Sequence, residues 1–119
     1  MSSIKIWHNS RCSKSREAKT ILDDKGENYE TFEYLKNEFS TDDLRQIIKM
    51  LGISDIREML RVKEDEYKEL NISSSSLSQD EILELVVKHP KLVERPIVIK
   101  DAKAVIGRPM ENVIELLKS

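Results

Sequence analysis

One cysteine stands in 119 residues, beside only three glycines, three prolines and one tryptophan. A single thiol cannot close an internal disulfide. The position three after Cys12 is Ser15, so the chain has no Cys-x-x-Cys pair. Thiol–disulfide chemistry at Cys12 therefore needs a second thiol from outside, either a small molecule or another protein. No apolar run approaches the roughly twenty residues that span a bilayer. Neither sign of charge dominates: 20 Lys and Arg face 22 Asp and Glu, for a net charge of -2. That balance excludes the overall basic field that draws a chain onto nucleic acid. The stretch MSSIKIWHN has neither the charged start nor the apolar middle of a signal peptide, which with the solitary cysteine predicts a cytoplasmic location.

What is present fits one domain over residues 1–119, with a single modest core. IKIW (4–7) reads as a strand and HNSRCS as the turn after it. From Ser13 to Lys25 the pattern is helical, with Ala18, Ile21 and Leu22 on one face and Gly26 as a stop. YETFEYL (29–35) alternates and reads as a second strand. Ser40 or Thr41 caps a helix carrying Leu44, Ile47, Ile48 and Leu51, closed by Gly52. Short helical pieces are expected at 54–60 and 64–70, and SSSSLS (73–78) as a solvated loop. Ser78 and Glu81 form a capping-box pattern opening a helix through His89, ended by Pro90. PIVIK (96–100) is a short continuous apolar run, as in a buried central strand. KAVIG (103–107) pairs back across Asp101 and Ala102. A last helix runs from Pro109 to Lys118 and presents Met110, Val113, Ile114 and Leu117. The order β-α-β, helical block, β-β-α predicts an α/β, thioredoxin-like fold: a small mixed sheet flanked by helices, with a helical insertion at about 40–90.

Cys12 falls at a strand-to-helix turn. The first turn of such a helix leaves the backbone N–H groups of residues near Ser13 to Arg16 without helical partners. Those donors and the helix dipole favour an anion, whether an oxyanion or the thiolate itself. His8, Arg11, Lys14 and Arg16 add positive charge if they turn inward. A lone cysteine is by itself more often an inert buried group, and basic residues are usually a solvated face. Arg61, Arg95 and Arg108 stand out further along, the last two directly before prolines. Guanidinium groups bind tetrahedral oxyanions through paired N–H donors. Each of the three is otherwise an ordinary surface ion-pair residue.

The stretches HNSRCSKSRE, MLRVKEDEYKEL, HPKLVERPIVI and IGRPMENV together resemble the glutaredoxin-coupled arsenate reductase (ArsC) family, in its YfgD-like branch. The resemblance runs from Ile4 to about Leu117. It implies Cys12 as the nucleophile, His8 as the residue that helps keep it ionised, and Arg61, Arg95 and Arg108 as the oxyanion's donors. The loop donors at Ser13, Lys14 and Ser15 complete the cradle, and Pro96 is expected in cis beside the site. The implied reaction is reduction of arsenate, or a similar oxyanion, to arsenite, with glutathione as co-substrate and glutaredoxin as resolving partner. No bound metal or organic cofactor is implied, nor any direct contact with nucleic acid or membrane, and a monomer is expected. Ser10 stands where familiar members carry proline, and R-C-S-K-S where the best-known reductases have A-C-G-T-S. The related Spx regulators, which bind RNA polymerase, share the HP-x-L-x-x-RPI-x-I segment but typically carry Cys-x-x-Cys and lack the Gly-Arg-Pro of residues 107–109. A single-cysteine oxidoreductase acting on glutathionylated proteins is the remaining alternative.

Overall fold

A computed structural model describes residues 4–107 and 109–118. The chain forms two compact units: one of residues 1–37 and 95–119, the other of residues 38–94.

The first unit holds a four-stranded mixed sheet in the order β2-β1-β3-β4, in a thioredoxin-like arrangement. Strand β1 (Ile4–Trp7) pairs parallel with β2 (Glu30–Phe32) and antiparallel with β3 (Ile97–Lys100), which pairs antiparallel with β4 (Lys103–Ile106). The central place of β3 explains its unbroken apolar run. Alternation along the strands then assigns the faces. Ile4 and Ile6 of β1 join Val98 of β3 in a core with Ala18 and Leu22 of α1 (Ser13–Asp24) and Val113 and Leu116 of α5 (Glu111–Lys118). Trp7 points to the opposite face, where its ring stacks on Tyr34 at 5.8 Å and tilts against Phe32 at 5.0 Å.

Two expected boundaries move. The second strand ends at Phe32 rather than residue 35, because the chain turns at once: the N–H groups of Lys36 and Asn37 both donate to the Glu33 carbonyl. Tyr34 is buried by that turn and ring stack, not by a ladder position. The last helix starts at Glu111 instead of Pro109. Its buried positions are Val113 and Leu116, with Met110 and Leu117 packed alongside.

The second unit is helical. Helix α2 (Thr41–Leu51) opens on a capping box in which Ser40 and Asp43 each bond the other's backbone N–H, and closes on Gly52 at φ 72°. That left-handed angle suits glycine, which has no Cβ to clash. A 3-10 turn (Ile56–Met59) and the short α3 (Asp65–Glu69) come next. Helix α4 (Gln79–Lys88) has the predicted Ser78–Glu81 capping box, with His89 as its C-cap. Leu44 and Ile47 of α2 and Ile82, Leu83 and Val86 of α4 are buried, and the two helices pack together. The serine-rich segment is a loop held by Arg57, whose guanidinium donates to the Ile72 carbonyl at 2.7 Å and the Ser74 carbonyl at 2.8 Å. After a 3-10 turn at Pro90–Leu92, Val93 bridges antiparallel to Leu60. No described helix is long and apolar enough to cross a membrane.

Candidate active site

Cys12 is the N-cap of α1, with extended backbone angles, and only 7% of it is exposed. The turn before it is closed by its own N–H, which donates to the Asn9 carbonyl at 3.0 Å. The Cys12 carbonyl accepts the first helical bond, from Arg16. The sulphur thus sits over the open N–H groups of the first helical turn. Burial is the largest single influence on the thiol and opposes ionisation. The backbone N–H groups of Ser15 and Lys14, neither close enough to cap the helix through the sulphur, together with the Arg95 side chain and its charge, favour the thiolate and outweigh it. The net effect lowers the thiol below its ordinary value, so thiolate forms more readily near neutrality.

The cation at the sulphur is therefore one from far along the chain. The basic side chains adjacent in sequence are exposed or bonded elsewhere. Arg11 is exposed, Lys14 approaches Glu17 at 3.8 Å, and Arg16 donates to the Ser10 carbonyl at 2.9 Å. Lys14 and Ser15 contribute through their backbones, while Ser13 is exposed as the first residue of α1.

His8 is buried and shares a 2.7 Å hydrogen bond between its Nδ1 and the Ser15 hydroxyl. Ser15 is itself fully buried, and its Oγ also accepts the Asn9 N–H at 3.0 Å. Burial first, then the nearby Lys19 charge, push the imidazole below its ordinary value of 6.5, against the pull of Glu33. His8 is thus biased toward the neutral form, and its connection to Cys12 runs through Ser15, whose hydroxyl bonds the ring and whose backbone N–H favours the thiolate. Ser15 marks the place of the absent second thiol and ties His8 to the first turn of α1.

Arg95 precedes Pro96 across a cis peptide bond at the entry to β3. Gly107, just past β4, closes onto that proline. Its N–H donates to the Pro96 carbonyl at 2.8 Å, and a Cβ built on it would lie 2.8 Å from Pro96 Cγ and 3.2 Å from Val113 Cγ2. Only glycine fits this approach without displacement. Arg108, the third expected oxyanion donor, lies outside the described residues.

Arg61 belongs to the helical unit. Its N–H donates to the Leu92 carbonyl at 2.7 Å, and its Nη1 meets the Glu64 carboxylate at 2.8 Å. The sequence singles out Arg61 but not Glu64, for which the i,i+3 spacing of opposite charges is the available signal. Nor does it single out Gly107, whose signal is the Gly-Arg-Pro run. On the outer face of α1 an open groove of about 440 Å³ is lined by Ser13, Arg16, Glu17, Thr20 and Ile21.

A model described as the ArsC family matches residues 7–116. The chain belongs to the ArsC family. Among its ArsC relatives, the YfgD protein of Escherichia coli K12 is 47% identical over 96% of each chain. An arsenate reductase of Haemophilus influenzae is 46% identical over 97% of this chain and 99% of its own length. The solved structure of an arsenate reductase from Vibrio cholerae superposes with a TM-score of 0.92, at 42% identity over 95% of this chain and 96% of that one. ArsC membership thus rests on nearly the whole chain in sequence and in fold.

Proposed function

We propose that this ArsC protein is an arsenate reductase in which Cys12 is the nucleophile. The observation that carries the reading is the buried thiol capping α1, lowered by two backbone N–H groups and the Arg95 guanidinium. That surrounding supplies both requirements of the chemistry: an ionised sulphur, and donors aimed where a tetrahedral oxyanion's charge builds up. The arsenate reductases among its relatives support arsenate as the oxyanion.

In this reading the Cys12 thiolate attacks arsenic. A sulphur–arsenic bond forms and one protonated oxygen leaves as water. Glutathione then attacks the adduct. Its sulphur and the Cys12 sulphur leave arsenic joined as a disulfide, giving arsenic two electrons and releasing arsenite. The balance is one arsenate and two thiols in, one arsenite, one disulfide and one water out. A glutaredoxin thiolate takes the glutathionyl group and returns Cys12 as thiolate. Arg95 is the proposed side-chain donor to the oxyanion and the backbone N–H groups of Ser13, Lys14 and Ser15 its proposed cradle; for Arg61 and Arg108 the same role rests on the family resemblance alone. His8 holds Ser15, and through it the first turn, in place. No bound cofactor takes part. The groove along α1 from Ser13 offers an approach for the incoming thiol.

The test is NADPH oxidation coupled through glutathione reductase, with arsenate, glutathione and glutaredoxin, wild type beside Cys12→Ser. Arsenate-dependent turnover that vanishes in Cys12→Ser is the expected outcome. Substantial turnover in the variant removes Cys12 from the mechanism. No turnover in wild type, with an acidic thiol, removes arsenate as the substrate.

A further inference from the structure

We propose that the Ser15 hydroxyl fixes His8 as the neutral Nε2–H tautomer, so that the ring can give the site a hydrogen bond but no positive charge. The inference goes beyond the arsenate reading and does not depend on it, because the folded chain alone places the ring's proton. Ser15 becomes a positioning residue that acts through His8.

The turn between β1 and α1 brings the two side chains together. The His8 N–H donates to the Phe32 carbonyl at 2.9 Å, which sets the residue just past the end of β1. Ser15 is the third residue of α1 and is fully buried. Its Oγ lies 3.0 Å from the Asn9 nitrogen and 2.7 Å from His8 Nδ1. A backbone N–H can only donate, so the first contact uses an Oγ lone pair. The hydroxyl still has one proton to place. A helical serine or threonine often gives it to the carbonyl four residues back, as Thr20 does to Arg16 at 3.0 Å. Among the described residues, the other neighbour of the Ser15 hydroxyl is Nδ1. A protonated Nδ1 would also have to donate to Oγ, and the hydroxyl proton would then be buried without an acceptor. The O–H therefore donates to Nδ1, and the ring's single proton sits on Nε2.

The surroundings agree with that assignment. Burial opposes a second proton on the ring most, Lys19 and Arg16 of α1 oppose it further, and Glu33 in the turn after β2 favours it. A bond donated to Nδ1 works in the same direction as the net effect, because it stabilises the neutral form. Nε2 has no bonding partner among the described residues, so its proton is open to an acceptor that they do not supply. The positive charge at the Cys12 sulphur is then that of Arg95, with His8 as a neutral donor held against the first turn of α1.

The test is a long-range nitrogen–proton NMR correlation spectrum at neutral pH of protein carrying isotope-labelled histidine, which separates protonated from bare ring nitrogens. The chain has two histidines, and His8→Gln identifies the signals of His8. Wild type should show a protonated Nε2 and a bare Nδ1. A protonated Nδ1, alone or in an imidazolium, overturns the proposal whatever the variants do. Ser15→Ala should mix the two tautomers and tighten proton binding by the ring about two-fold to ten-fold, the scale of one lost hydrogen bond. Ser15→Thr, which restores the hydroxyl, should restore the wild-type pattern. A Ser15→Ala ring with the wild-type tautomer and the wild-type titration overturns the role of Ser15, as does a folded Ser15→Thr that behaves like Ser15→Ala. These spectra need no arsenate, so a failure of the arsenate reading shows in the coupled assay and not here.

Discussion

Gly107→Ala adds a single methyl group at the point where β4 ends against Pro96. The new Cβ would sit 2.8 Å from Pro96 Cγ, 3.2 Å from Pro96 Cδ and 3.2 Å from Val113 Cγ2. A relaxed carbon–carbon contact is about 3.5–4.0 Å, so the ring or the strand must yield by the better part of an ångström. The proline ring cannot rotate away, and Val113 belongs to the core. Overpacking of this kind costs about 1–3 kcal/mol. With an unfolding entropy of about 2.1 cal/mol/K per residue over 119 residues, each kcal/mol lowers Tm by about 4 °C. The expected loss is therefore about 4–12 °C, read from thermal melting monitored by circular dichroism. The displacement also has a chemical readout. Pro96 comes directly after Arg95, whose guanidinium bonds the Cys12 sulphur. Moving the proline draws that donor off the thiolate, so the thiol should become less acidic in a pH series of alkylation rates. A variant with the wild-type Tm and the wild-type alkylation profile would refute the packing argument and its link to the thiol together.

The same geometry sets two further outcomes. Arg95→Ala removes both a hydrogen bond and a positive charge from the sulphur, so the Cys12 alkylation profile should shift to higher pH, and an unmoved profile would leave the activation to the helix N–H groups alone. His8 is lowered in the folded protein below 6.5, so between its folded value and 6.5 the unfolded chain takes up the proton first. Stability should therefore fall as pH drops through 6.5 and below, and denaturant midpoints should fall less steeply in His8→Gln; parallel pH profiles would contradict the burial of a neutral imidazole.

Much of the fold is readable along the chain because it is local. The caps of α2 and α4 depend on residues three apart, and Ser40, Gly52 and Ser78 announce them. The apolar run of β3 gives away its central place. Where sequence and structure differ, nonlocal contacts decide. Nothing within YETFEYL says that the strand stops at Phe32; Tyr34 is held by a ring on another strand. Pro109 is a good first helical residue, yet α5 begins two residues later. At the site, the position of the thiol and its N–H donors is legible. The cation at the sulphur is not decided by proximity in sequence. Four basic or potentially basic residues crowd Cys12 along the chain, but the helix turns Lys14 and Arg16 toward other partners and His8 is pressed toward neutrality. Family resemblance points to Arg95, and only the assembled sheet shows its guanidinium on the sulphur.

The sheet joins β1 to β3 across an intervening helical unit, so the thiol and its guanidinium come from opposite ends of the chain. During synthesis Cys12 emerges long before Arg95, and the first half alone has no β3 on which to build the finished sheet. Until the later strands arrive, the cysteine lacks the cation at its sulphur and is a less acidic thiol than in the native protein. The chain thus arms its nucleophile last. A ribosome-bound fragment that ends before residue 95 carries the cysteine without the guanidinium, and the acidity of the thiol, rather than its presence, marks the completed sheet.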